Sequence, residues 1–508
     1  MKLRDYICVF VFVALALATV AAQDSGQQPP DSGTPSPSAP APAFGQTGAT
    51  PQQNVDNPPI SGLDLPNLDP NASSRSFFIP GVHASQALDT NIGSQVGAGA
   101  VQGVTRALGS LALQKLWSRY DVGLQYVGGG AYYGGQHIGW TQFHSLDGDQ
   151  RYLWRTGQFA LRDSFSYLPE GAFGYGSYGG SGALGGVGGL GGGGGGITGV
   201  GLGGGSGALL GGAGALGSLG QAPRINNVSI ADITQSISPR SSLTLGGSFG
   251  LVHFNSGTNT TTVNGTTVTF FNSQQVGGQA GYNYQINRSD QVGLLYAYQS
   301  FHFPTSISGD FRTHVFHILY GHRISGRMDL VLGGGPQLTD INRPATVTIV
   351  NGVPIATPAS SNSNLSASGQ AMLRYRFTQT NLTASYNRYN SSGSGFYGGA
   401  KTNLFRLTAS RPFGRNWSGT GDVGYTTNSR ILPASTGGVA GQSFSYLYFG
   451  GSLHRQFGRE FSGFVSYIFN NLGFDSSFCG NAPSCNRTSR RQVALLGIDW
   501  TPHPIRLD

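Results

Sequence analysis

Charge is scarce in this sequence. Asp, Glu, Lys and Arg together make up 10% of 508 residues, against about a quarter in an ordinary soluble domain. Lysine occurs only at positions 2, 115 and 401, and glutamate only at 170 and 460. So thin a supply cannot clothe a water-facing exterior of this size, and a second phase must cover much of it. The formal excess of +8 comes mainly from arginines scattered along the chain without cluster or recognition motif, a pattern that argues against a nucleic-acid partner. Cysteine is nearly absent too. Cys8 falls in the apolar first residues, leaving Cys479 and Cys485 in FCGNAPSCN. In an oxidising compartment these two staple a small loop through a disulfide, because no neighbouring histidine or acid completes a metal site.

Catalytic signatures are missing as well. The chain has no Gly-x-Ser-x-Gly elbow, and serine is too abundant for any Ser/His/Asp combination to be informative. His314 and His317 in THVFH stand an odd number of residues apart, so on a strand they face opposite sides and cannot share a metal. His144, His253, His302 and His454 are isolated. Asp147 and Asp149 share a face, which suits an exposed hairpin better than an acid-base pair. The glycine tract lacks the Lys-Ser/Thr of a phosphate loop. These gaps point to a non-enzyme with no cofactor and no metal.

Beyond the first residues no stretch approaches the roughly 18 consecutive apolar residues of a membrane helix. The opening MKLRDYICVFVFVALALATVAAQ has the basic start, apolar run and small-residue ending of a secretory signal cut after Ala22. Residues 23–72 are rich in Pro, Ser, Gln and Gly and read as a disordered tether. Residues 171–220 are mostly glycine and read as a long flexible loop.

What fills the rest is alternation. Leu365, Ala367, Gly369, Ala371, Leu373 and Tyr375 alternate with Ser366, Ser368, Gln370, Met372, Arg374 and Arg376, the period of a strand with one apolar face. Sixteen such segments run from residue 120 to 501, joined alternately by short turns and by longer Gly/Ser/Asn/Thr links. The turn in RPFGRNWSG, from Arg411, is echoed 44 residues later by RQFGREFSG, from Arg455. A propeller would need four strands in that interval, and a β-sandwich would carry charge on its polar faces. The pattern predicts an antiparallel up-and-down transmembrane β-barrel. Residues 73–119 stay open between a periplasmic segment and two extra strands, which would make eighteen. Within them ALGSLALQKLWSRY suits either a helix or a strand turning at Trp117. The tryptophans Trp117, Trp140, Trp154, Trp417 and Trp500 all fall near ends of proposed strands, as interface anchors do.

The signal, the alternating hairpins and the final RRQVALLGIDW, with Gly497 and Trp500 in an alternating strand, resemble bacterial outer-membrane β-barrel proteins of porin-like size. The resemblance covers about residues 120–501, and the chain runs eight residues past Trp500. It implies residence in the cell outer membrane among its lipid, delivery by the barrel-assembly machinery, and a homo-trimer as a common assembly. The function expected is a passive channel for small solutes, with the glycine tract as a constriction. The alternative is a surface-display or adhesion barrel with a closed lumen. On the polar faces Arg374, Arg376 and Arg406 against Asp422 suggest pore-lining residues with a mild anion preference.

Overall fold

The computed structural model describes residues 76–91, 99, 101–134, 139–168, 224–254, 260–263, 266–269, 271–304, 309–350, 353–391, 393, 397–414, 416–432, 442–458, 460–479 and 487–507. The signal, the tether, the glycine tract and Cys485 lie outside these residues, as do the side chains of Arg376, Asp422 and Cys479.

Eighteen antiparallel strands close into one barrel. The first nine are β1 (Phe77–Asp89), β2 (Gln102–Leu116), β3 (Tyr120–Tyr133), β4 (Gly139–Trp154), β5 (Gly157–Leu168), β6 (Arg224–Ser238), β7 (Ser241–Phe254), β8 (Ser273–Gln285) and β9 (Asp290–His302). The second nine are β10 (Asp310–Ser325), β11 (Met328–Arg343), β12 (Ser360–Arg376), β13 (Asn381–Ser391), β14 (Ala400–Phe413), β15 (Trp417–Arg430), β16 (Ser443–Phe457), β17 (Phe461–Phe474) and β18 (Thr488–Trp500). Each pairs with its sequence neighbour, and β18 closes on β1 over eight residue pairs from Val82↔Trp500 to Asp89↔Val493. Connections of two to four residues mark one end of the barrel and longer ones the other. Residues 107–120 therefore belong to a strand and its turn, and the helical option falls. β2 pairs with the stretch that begins at Phe77, in the register Phe77↔Gln114.

Alternation decides which face each side chain takes. On β18 Leu496, Ile498 and Trp500 point out while Arg491, Val493 and Asp499 are buried inside. Around the barrel Leu294, Ile318 and Leu365 are 58%, 68% and 69% exposed to the outside, a cost that a lipid phase removes. Trp117, Trp154, Trp417 and Trp500 stand at the short-turn end and Trp140 at the other.

The repeated turn has a physical origin. Gly414 and Gly458 adopt φ of 77° and 76°, the left-handed region that favours glycine. In both copies a phenylalanine just before the turn folds over a glycine six residues on: Phe413 over Gly419 and Phe457 over Gly463. In both, the arginine two residues earlier stacks on that ring, Arg411 at 5.5 Å and Arg455 at 5.1 Å. Arg455 also lies 5.1 Å from the ring of Trp417, tying the two hairpins together. The echo is one turn-and-clasp device used twice on the outer face.

The chain end forms a second tie. After Trp500 the two-residue strand Ile505–Arg506 pairs with Phe77 and Phe78, and the Lys115 ammonium donates to the Leu507 carbonyl at 2.6 Å.

Alanine at Gly414 or Gly458 meets nothing within 4 Å, so its cost is purely conformational. Gly414→Ala and Gly458→Ala should each lose about 1 kcal/mol in urea unfolding from lipid vesicles. Gly326→Ala, in a turn without positive φ, should stay within a few tenths.

Candidate functional site

The inner wall is polar, and its charges come in opposed pairs. Among the described residues Arg106, Arg151, Arg323, Arg374, Arg406 and Arg491 face inward, as do Asp89, Asp121, Asp232, Asp329 and Asp499. Several meet just inside the short-turn end. Asp121 stands directly opposite Arg151. Asp329 sits between Arg323 and Arg374, 3.6 Å from each. His83 Nδ1 lies 2.8 Å from Asp499 across the closing ladder. Toward the other end of that ladder, Arg491 Nε donates to both oxygens of Asp89 at 3.0 and 2.8 Å. Ladder geometry explains the pairing: residues directly opposite on neighbouring strands share a face, so one Asp between two Arg strands meets both.

Of the residues expected to line a pore, Arg374 and Arg406 face inward, and Arg374 is engaged by Asp329. The inward carboxylates escape sequence reasoning because each sits singly on its own strand, and Asp89, Asp121, Asp329 and Asp499 lie near strand ends where face assignment from sequence is weakest. His314 and His317 do take opposite faces. His317 is buried inside with Nε2 2.6 Å from Ser368 Oγ, while His314 contacts Tyr296 outside at 2.9 Å.

At the long-loop end the wall divides. β12 follows β11 for sixteen pairs up to Ser360↔Arg343, but it pairs with β13 for only eight, ending at Gly369↔Arg388. Beyond that point β13 turns inward. Asn390 Nδ2 donates to Thr339 Oγ1 at 2.8 Å and Thr313 Oγ1 at 3.3 Å, on strands that lie beyond β12. Gly399, at φ 95°, abuts the Phe311 ring so closely that a Cβ would lie 2.3 Å from it. Leu432, just past β15, joins Phe301, Phe303, Phe311 and Ile341 in a buried cluster. The upper ends of β13 to β15 thus lie inside those of β9 to β11 and narrow the mouth.

A loop carboxylate holds the neighbouring edge. Asp475 accepts from the amide of Gln442 at 2.8 Å, from the Ser443 hydroxyl at 3.1 Å and from the Ser477 hydroxyl at 2.6 Å. Partial burial pushes its carboxyl up, but the hydrogen bonds from Ser477, Gln442 and Ser443 outweigh that and hold it below the usual carboxylate value.

No protein-family model matches the chain, and no curated protein matches it. Among solved structures it is similar to the open form of the ferric-catecholate import receptor Fiu from E. coli K12, at 10% identity and TM-score 0.41, covering 83% of this chain and 81% of that one. It is also similar to OccK2 (OpdF) of Pseudomonas aeruginosa at 9% identity and TM-score 0.37, covering 85% and 98%. Acinetobacter baumannii OccAB4 shares 8% identity at TM-score 0.37, covering 84% and 99%.

The depressed carboxyl of Asp475 fixes a pH signature. Its contribution is complete above the unfolded value of about 3.9 and is lost as pH falls through the lower folded value. Asp475→Asn turns one of two accepting oxygens into a donor and should cost about 1 kcal/mol at pH 7. In thermal unfolding the gap to wild type should close as the pH drops below about 4.

Proposed function

We propose that the chain is a porin-like barrel of a bacterial outer membrane that lets small solutes cross passively along its polar inner wall. The supporting observation is the division of faces: a closed eighteen-strand barrel with an apolar exterior and a wall of paired charges inside. A barrel of this strand number leaves room for an aqueous channel. The tucked ends of β13 to β15 narrow the mouth, so the proposed resting state is a restricted pore. With inward arginines faced by carboxylates among the described residues, the proposed ion selectivity is weak, with any anion preference governed by how many arginines a carboxylate neutralises. The surface-display reading draws on the same tucked mouth, because a sealed barrel needs only its loops.

Planar-bilayer recording of the mature folded chain separates the two. Discrete conductance steps with a reversal potential close to zero across a salt gradient are expected of the channel. An inserted but silent barrel would move the reading to display. Asp329→Asn removes the carboxylate between Arg323 and Arg374, and the reversal potential should shift toward anion selectivity without loss of conductance. A second pair of readings tests the mouth. Oxidising a Thr339→Cys, Asn390→Cys variant should hold conductance at its lowest level, with reductant restoring the wild-type value.

A further inference from the structure

Closure of the barrel brings together three side chains that the sequence keeps far apart. His83 on β1 lies 2.8 Å through Nδ1 from Asp499 on β18, and 2.8 Å through Nε2 from the Ser110 hydroxyl on β2. A carboxylate can only accept, so the contact with Asp499 puts the ring hydrogen on Nδ1. Nε2 is then the acceptor, and it receives the hydrogen of the serine hydroxyl. That polarity is the one in which a histidine can serve a serine nucleophile as base while an aspartate orients it. Asp499 is itself fixed: it is fully buried, and its second oxygen accepts from Ser462 at 3.5 Å.

Two further observations set this trio apart. Gly81 stands directly opposite Ser110, and a Cβ there would lie 2.5 Å from Ser110 Oγ and 3.5 Å from His83 Nε2. Any side chain at that position would strike the atom that has to react. Elsewhere the inner wall holds a serine-histidine pair without the acid. His317 Nε2 is 2.6 Å from Ser368 Oγ, yet its Nδ1 has no hydrogen-bond partner.

We propose that Ser110, His83 and Asp499 form a nucleophilic site in the inner wall that hydrolyses small carboxylic esters entering the barrel. Ser110 Oγ adds to the ester carbonyl carbon while its proton passes to His83 Nε2. The bond from carbonyl carbon to alkoxy oxygen breaks, and the departing alkoxide takes that proton and leaves as the alcohol. Water then attacks the acyl-serine, giving its proton to His83, which returns it to Ser110 as the acid departs. The sum is ester plus water to acid plus alcohol, with no change of oxidation state. Ser110 and His83 are the catalytic residues; Asp499 is a positioning residue.

The test uses the full mature chain folded in detergent, with a small fluorophosphonate as probe and p-nitrophenyl acetate as substrate. Labelling is expected at Ser110, located by peptide mass, and it should vanish in Ser110→Ala. His83→Ala should slow labelling at least about a hundredfold. Asp499→Asn, which offers the ring the wrong hydrogen, should slow it comparably while the barrel keeps its folded mobility on unheated gels. A purely structural trio would lower the unfolding midpoint in these variants with no labelling to lose. Ser368→Ala should leave labelling unchanged, and Gly81→Ala should block it with all three residues in place. Access is read separately from a neighbouring inward position, Ala112→Cys, with a small methanethiosulfonate. A reactive thiol at position 112 beside an unlabelled Ser110 overturns the proposal while leaving the channel reading intact. An unreactive thiol there removes the access both require and overturns it as well.

Discussion

Every strand in this barrel depends on the ladder that joins its two ends. An open sheet leaves a row of unpaired amides and carbonyls at each edge, and in lipid each such group costs several kcal/mol. Here eight residue pairs between β1 and β18 remove both edges at once. The inner face of that ladder carries a polar pair toward each end, His83 with Asp499 and the ion pair of Arg491 with Asp89. Between them lies an apolar patch that includes Ala87, Val104, Phe464, Val493 and Leu495. Apolar packing and paired charge therefore act on the same short stretch, and the weak point of the circle becomes its most heavily tied part.

The same logic orders the exterior. Arginine survives on the outer face where an aromatic ring lies beside it, as Arg411 does with Phe413 and Arg455 with Phe457 and Trp417. The guanidinium keeps its charge near the water boundary while its plane shares the ring's surface. At these positions an aromatic face answers the charge.

How much of this is readable in the sequence follows from contrast between faces. β3 to β18 match alternating segments because one face is apolar and the other is Ser, Thr, Asn, Gln or Gly. β2 carries Leu108 and Ala112 inward as well as Leu111 and Leu113 outward, so its alternation disappears and its leucines imitate a helix. Pro80 blurs β1 in the same way. Parity alone gives Arg374 its face, but its partner Asp329 lies across a ladder whose register no local pattern reveals. Asn390 is less readable still: β13 leaves its partner at Arg388, and simple alternation no longer applies. His83 and Asp499 are separated by 416 residues, and only closure of the circle makes them neighbours.

Residues 505–507 reinforce the closure. Ile505 and Arg506 pair with Phe78 and Phe77, the first residues of the first strand, and the Leu507 carbonyl is held by Lys115 of the second. β18 and residues 505–506 thus close on the same strand, β1. A chain that stops short of β18 leaves β1 with a bare edge, and no arrangement of the remaining strands in this order can cover it. The ladder therefore works as a checkpoint: a chain cut before β18 stays an open sheet, recognisable by its bare edge to whatever clears damaged barrels.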